Sequence, residues 1–393
     1  MNYIFFRGNL LERAGGPSTY LYNLRNGLEK KKNADIKFIY NEQIKTDKKK
    51  KRISLYKKII AENFPGIYVK IMINHIEKNN FQQRLKKEKD IELVHFHDVV
   101  DLVKSIKYIP NETIKVLMSH SPESPSIEFK KNLIEKSKKR KYNFDKAEKV
   151  YYDKYVKVAF EEADVLVFPS IEAMEPYYAT CPNFEELIKG KTIKYIMTGT
   201  EPLKYKKTKK EFREENYIPE DAFVICFIGR HNEVKGYDNF IEIAKKVLEK
   251  EEKIYILTAG TGNIETPKSE RWIDIGWTDD PGSVVNASDL FILPNRQTYF
   301  DLVLLEVLSI GKTTLVSNTG GNKAIERLSR GVIKYDNIED AIKKVLELYL
   351  IRDNLKELEE ENGKVYNNYF TVDKFTENYI NMLKEIRREK GIE

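Results

Sequence analysis

The chain has 393 residues, a length that suits two domains each able to bury its own core. At 41% apolar, 11% aromatic and 33% charged residues, with 19 Gly and 13 Pro, it is neither collagen-like nor low-complexity nor wholly disordered. Net charge is +7; only Cys181 and Cys226 occur, and no run of 18 apolar residues, so a cytoplasmic globular protein without disulfides or membrane spans is expected.

Short runs rich in Ile, Val, Phe and Tyr alternate with longer amphipathic stretches, the pattern of parallel strands joined by crossover helices. The first series of strands is predicted at 3–6, 36–40, 93–97, 116–118, 165–169 and 195–197. After the first strand, AGGPSTYLYNL (14–24) opens a helix with Ser18 or Thr19 as N-cap, and Gly15 and Gly16 either form a tight turn or let backbone N–H groups approach a phosphate. Lys48–Arg52 and residues 136–141 are basic, and Ile53, Tyr56, Ile60, Ile67, Ile71 and Met72 form apolar stripes beside lysines. That region suits an anionic membrane surface, or is an ordinary solvated face over helices packed on the sheet. His95 and His97 share one strand face and His120 ends the next strand; with only Asp98 nearby, a hydrogen-bonded pair or a substrate contact at His120 is expected rather than a metal.

Residues 204–221 are charged with little periodicity and read as an interdomain connector. The domains are accordingly 1–205 and 206–371, with 372–393 an amphipathic helix that either packs on the second domain or crosses back to the N-terminal one. The second series of strands is predicted at 223–228, 254–258, 272–275, 290–293, 314–316 and 332–334. Its first strand ends in GRHNEVKG, where Gly229, Arg230 and Lys235 precede a helix as a diphosphate clamp. Beyond the strand at 290–293, a helix carries Glu306 within an apolar face, an acceptor for hydroxyls, and Thr319, Gly320 and Gly321 open another helix toward phosphate. Two doubly wound sheets place such strand-end loops on facing edges of a cleft.

The ordered set AGGPSTYLYNL, LVHFHD, MSH, ADVLVFPS, GRHNEVKG, LPNRQTYFDLVLLE and SNTGG resembles the retaining glycosyltransferases of family 4 over essentially the whole chain. The resemblance implies the GT-B architecture, two Rossmann-like domains facing a central cleft. It implies transfer of a hexose or N-acetylhexosamine from a nucleotide-diphosphate sugar, uridine-linked by preference, to a glycan or lipid-linked glycan in cell-surface polysaccharide synthesis. No metal, cofactor or nucleic-acid partner is implied, and peripheral contact with the inner face of an anionic membrane suits such acceptors. By the same resemblance Arg230 and Lys235 hold the donor diphosphate, Glu306 the ribose, Gly15 and Gly16 cover the donor, and His120 sits near the transferred sugar.

Two positions depart from the family pattern. Thr298 stands where the first glutamate of the Glu, seven residues, Glu spacing belongs, and Asp301 where a glycine is usual. The sugar is then held by Thr298 and the backbone amides of Tyr299 and Phe300, with Asp301 as a partial substitute carboxylate, so that Asp301→Asn spares diphosphate binding and slows transfer. Alternatively Asp301 only caps the helix that follows. A catalytically silent sugar-nucleotide sensor or assembly partner is the rival function, favoured by Thr298. A nicotinamide oxidoreductase is not supported, since GxGxxG after a strand is missing.

Overall fold

The computed structural model describes residues 1–10, 15–33, 35–42, 56–137 and 142–392, and the chain divides into two compact units. One comprises Met1–Phe168, Met174–Ile196 and Thr376–Glu393; the other comprises Pro169–Ala173 and Met197–Phe375. The chain therefore passes between units at 196 and 197, and the last helix, Val372–Glu389, belongs to the first unit from Thr376 onward. Its Phe375, Tyr379, Met382, Leu383 and Ile386 are buried, as their helical spacing predicts.

In the first unit β1 (Asn2–Phe6), β2 (Ile36–Tyr40), β3 (Leu93–Phe96), β4 (Ile114–Leu117), β5 (Val165–Phe168) and β6 (Thr192–Tyr195) form a sheet of order β2-β1-β3-β4-β5-β6. In the second, β7 (Phe223–Ile228), β8 (Ile254–Ala259), β9 (Trp272–Asp274), β10 (Leu290–Leu293), β11 (Thr313–Ser317) and β12 (Val332–Tyr335) form the order β12-β11-β10-β7-β8-β9. Every pairing is parallel. These are doubly wound, Rossmann-like sheets whose strand order reverses between β1 and β3 in one unit and between β7 and β10 in the other, the points where such sheets leave a crevice at the strand carboxyl ends.

Strands covered on both faces read as apolar runs, and β3, β5 and β10 are buried at every residue. Along β7, Val224 and Cys226 pack into one core with Leu304, Leu305 and Val316. Phe223, Ile225 and Phe227 face the opposite core with Phe240, Ile256 and Leu315. The edge strand β6 runs over Thr192–Tyr195 instead of the predicted 195–197, because a partly exposed edge needs no apolar run.

The predicted connector is structured. Helix Lys209–Glu215 lies within it, opened by a capping box in which Thr208 and Glu211 satisfy each other's backbone N–H groups. Phe212 enters the core of the second unit, and the buried Arg213 donates to the Ala287 carbonyl at 2.9 Å and pairs with Asp289 at 2.8 Å. Charge hid this segment, since its most deeply tied side chain is an arginine whose charge is fully partnered.

Candidate functional site

In the second unit, the loops after β7, β10 and β11 carry Arg230 and Lys235, Thr298 to Asp301, and Thr319 to Gly321 respectively. The three strands are neighbours in the sheet, so residues up to 91 positions apart in sequence gather at one end of it. Gly229 donates to the Ala259 carbonyl at 3.0 Å, prolonging the ladder, and Arg230 then emerges exposed, with no carboxylate partner among the described residues. The side chain of Asn232 accepts from the Lys235 backbone N–H at 3.0 Å, closing the turn that ends at Gly236. Gly236 has φ +66°, and a Cβ there would lie 1.8 Å from the Pro294 carbonyl oxygen, so glycine is what lets this turn meet the end of β10.

That approach brings Lys235 against Asp301, with Nζ 2.6 Å from Oδ2. Asn295 donates to the same oxygen at 2.5 Å, while the Val303 backbone N–H donates to Oδ1 at 3.1 Å, making Asp301 the N-cap of helix Leu302–Ser309. The Asp301 side chain is 5% exposed. Burial by itself would raise its pKa, but the charge and hydrogen bond of Lys235, with Asn295 and the Val303 amide, outweigh burial and hold it below the usual carboxylate range. Both Asp301 oxygens are thus engaged by the protein. The geometry is that of the capping alternative with a cation added.

Glu306 is the titratable residue of that same helix, partly exposed where Leu304, Leu305, Val307 and Leu308 are buried. Thr298 and Tyr299 are buried, and Phe300 packs on the core. A Cβ at Gly320 would stand 1.9 Å from the Thr298 carbonyl oxygen, and one at Gly321 2.6 Å from that of Tyr299. These two glycines therefore serve the contact between the β10 and β11 loops as well as opening helix Gly321–Glu326. Thr319 is partly exposed beside them, its hydroxyl 3.5 Å from the Arg296 carbonyl.

In the first unit a second cluster forms after β1, β3 and β4. Gly15, at φ +87°, is the residue that precedes helix Gly16–Lys30, and no side chain caps it. Ser18 and Thr19 are buried one turn inside, with the Ser18 hydroxyl donating to the Asn9 carbonyl at 2.9 Å, so the expected N-cap is not formed. A Cβ on Gly15 or Gly16 would meet nothing within 4 Å among the described residues. His120 takes φ +56°, a left-handed conformation that costs a non-glycine residue about 1 to 2 kcal/mol and persists where surroundings dictate it. Its Nε2 lies 2.8 Å from Nδ1 of His97, and the Tyr20 ring meets it edge-on at 4.8 Å. The His95 ring lies tilted against that of His97 at 4.2 Å and places Nδ1 2.7 Å from the Tyr379 hydroxyl. Burial pushes His95 and His120 down to about 3 and lowers His97 as well, so all three are neutral near pH 7.

His97 and His120 line an open cavity of about 430 Å³ together with Arg7, Ser18, Asp98 and Glu128. Asp98 caps the next helix by accepting from Val100 and Asp101, and Arg7 lies 3.3 Å from both Asp98 and Asp101. Burial and the neighbouring Asp98 push the Asp101 carboxyl up to about 7 despite Arg7. Arg7, Asp101, Glu128 and Asn295 were not legible as site residues. The one available signal was the Asp98, Asp101 spacing at a helix start. Among the described residues no three His, Cys, Asp or Glu side chains gather as a metal set.

Residues 222–350 match the family model described as Glycosyl transferases group 1. The chain is 26% identical over 190 residues to the O-antigen biosynthesis glycosyltransferase WclY of Escherichia coli, covering 46% of this chain and 52% of that protein. It is 25% identical over 186 residues to the UDP-Gal:alpha-D-GlcNAc-diphosphoundecaprenol alpha-1,3-galactosyltransferase of the same organism, covering 42% and 47%. The chain thus spans about half the length of the curated relatives it matches. The structure of the Anabaena protein HepE in complex with UDP and glucose superposes with a TM-score of 0.59 at 12% identity, over 98% of this chain and 99% of that one. The fold is GT-B, and the segment that resembles group 1 glycosyl transferases is the one that bears Arg230, Lys235, Asp301, Glu306 and Gly320.

Proposed function

We propose that the chain is a retaining, metal-independent glycosyltransferase that moves a hexose or N-acetylhexosamine from a nucleotide-diphosphate sugar, UDP-linked by preference, to a glycan acceptor of cell-surface polysaccharide. The observation that carries this reading is the convergence of Arg230, Lys235, the Thr298 to Glu306 segment and Thr319 to Gly321 on three adjacent strand ends, inside the segment matched by the family model. As the sugar carbon becomes oxocarbenium-like, charge builds on the departing diphosphate; two cations and backbone amides already in place stabilise it without reorganisation. Glu306 accepts from ribose hydroxyls, and neutral His120 is a hydrogen-bonding group beside the sugar rather than a cation. In a same-face reaction the leaving phosphate takes the acceptor proton, so no protein nucleophile is required. Purified protein screened against a panel of nucleotide sugars by thermal shift, then by slow donor hydrolysis, tests this. Stabilisation with hydrolysis supports it; stabilisation with neither hydrolysis nor transfer to any glycan would instead favour the silent sensor.

The acceptor we infer is lipid-linked, met at the inner face of an anionic membrane. Tyr56, Ile59, Phe64 and Ile67 are exposed in and before helix Pro65–Lys78, with Lys58 and Lys70 exposed among them. Lys48–Arg52 and Ile53 lie outside the described residues. No helix among those described is long and apolar enough to cross a membrane. The protein should sediment with anionic vesicles at low salt and release at high salt, and neutralising Lys48–Arg52 should remove most of the binding. Salt-independent binding, or none, would leave this an ordinary solvated face.

A further inference from the structure

Lys235 is assigned to the donor diphosphate, yet its ammonium lies 2.6 Å from a carboxylate that is almost wholly buried. That carboxylate is on Asp301, in the loop that follows β10, so the pair ties the β7 loop to the β10 loop. It is firmly built. Asn295, itself 2% exposed, donates to the oxygen that Lys235 touches, and the Val303 amide fixes the other oxygen. Asp301 cannot turn away without uncapping the helix that carries Glu306. The Lys235 side chain is one-third exposed, so it keeps donors for a ligand, but its charge is offset before any ligand arrives. Arg230, by contrast, has no carboxylate partner among the described residues.

We propose that Asp301 is a positioning and affinity-setting residue: it holds Lys235 in the β7 and β10 crevice and deliberately weakens the hold of that cation on a bound diphosphate. The inference rests on the donor-site reading above. A transferase must release its nucleoside diphosphate product after each turnover, and a fully unpaired Lys235 beside Arg230 would retain that product. Offsetting one of two cations loosens the diphosphate end while Glu306 and the nucleoside contacts are untouched. The consequence runs opposite to a sugar-binding role for Asp301, which leaves diphosphate affinity alone.

Asparagine is itself a good N-cap, so Asp301→Asn keeps the helix start and removes only the charge. Titration calorimetry on the wild type, Asp301→Asn and the double variant Asp301→Asn with Lys235→Met, using UDP and uridine as ligands, reads the effect. The double variant is used because Lys235→Met alone would strand a buried carboxylate. Asp301→Asn should bind UDP about tenfold more tightly than wild type, the order expected for removing one unit charge a few ångströms from a diphosphate at an intermediate permittivity. Uridine affinity should stay within twofold, and the gain should vanish in the double variant. Product release should slow in step, lowering kcat under saturating donor. UDP affinity unchanged or weakened in Asp301→Asn, or a gain that survives in the double variant or extends to uridine, would overturn the proposal. A wild type that binds no nucleoside diphosphate would overturn the donor-site reading and this inference together, whereas binding without the charge response overturns the inference alone.

Discussion

Arg230→Ala should lower the rate of sugar transfer by roughly 10²-fold or more while leaving the melting temperature unchanged. The side chain is exposed and has no ion-pair partner among the described residues, so its removal costs the fold nothing, yet it belongs to the loop after β7, at the strand end where the proposed diphosphate charge would develop. In such a site a preorganised cation acts at low reorganisation cost, which is why one lost donor or charge is worth orders of magnitude in rate. Lys235→Ala should fall at least as far in rate, but for two reasons. It removes the second cation, and it also leaves the Asp301 carboxylate buried with only Asn295 and the Val303 amide as partners. Breaking that pair should cost about 1 to 3 kcal/mol of stability once the partial exposure of Lys235 is allowed for. Melting curves and single-turnover transfer measured on both variants separate the two contributions. If Arg230→Ala transfers sugar at a near wild-type rate, the clamp is misassigned and the transferase reading loses its main support.

How much of this was legible from sequence depends on the distance over which each signal acts. Strands buried on both faces leave apolar runs that need no knowledge of the fold, which is why β3, β5, β7 and β10 stand where the pattern of residues puts them. The edge strand β6 alternates Thr192, Ile193, Lys194 and Tyr195 with none of them fully buried, and the neighbouring apolar run at 195–197 drew the prediction three residues along the chain. Helix Lys209–Glu215 was hidden because beside Phe212 its other buried side chain is Arg213, and the partner that makes burial of a guanidinium tolerable, Asp289, is 76 residues away. The same limit applies at the site. Arg230, Lys235 and Glu306 sit in local motifs and could be singled out one at a time. That Lys235 reaches Asp301, 66 residues on, follows only from the strand order that sets β10 beside β7. Without that order, Asp301 offers two equally sensible local roles, helix cap or sugar ligand; with it, both oxygens are accounted for.

Between pH 5.5 and 4.5 the first unit should lose about 2 to 3 kcal/mol of stability per pH unit. The cause is the cluster of His95, His97 and His120, packed where burial lowers the affinity of each ring for a proton, with His95 and His120 brought down to about 3. On unfolding, each ring returns to an ordinary value near 6.5, so below that pH the unfolded chain binds protons that the folded chain refuses. Stability must therefore fall as pH falls through this window. Asp101 works in the opposite sense. Burial and Asp98 raise its folded value to about 7, so it keeps a proton in the folded state that it surrenders on unfolding, and the stability it contributes is lost only as pH rises toward 7. Three protons gained against one released leave a net of about two, each worth about 1.4 kcal/mol per pH unit. Glu128, raised by burial, adds to the Asp101 side of this balance, whereas Glu77, lowered by Lys154 with Tyr155, and Glu92, lowered by Arg387 with the N-terminus, add to the histidine side as the unfolded chain takes up protons at the foot of the window. Hydrogen exchange of peptides covering β3 and β4 across a urea series, corrected for intrinsic exchange at each pH, measures the slope in this unit alone. His120→Asn gives the attribution: asparagine accepts the left-handed backbone that histidine adopts there and cannot titrate, so the slope should drop by about one proton. A stability that stays flat from pH 5.5 to 4.5 would mean that the rings take up protons in place, and the neutral His120 assigned to the sugar would have to be redrawn as a cation.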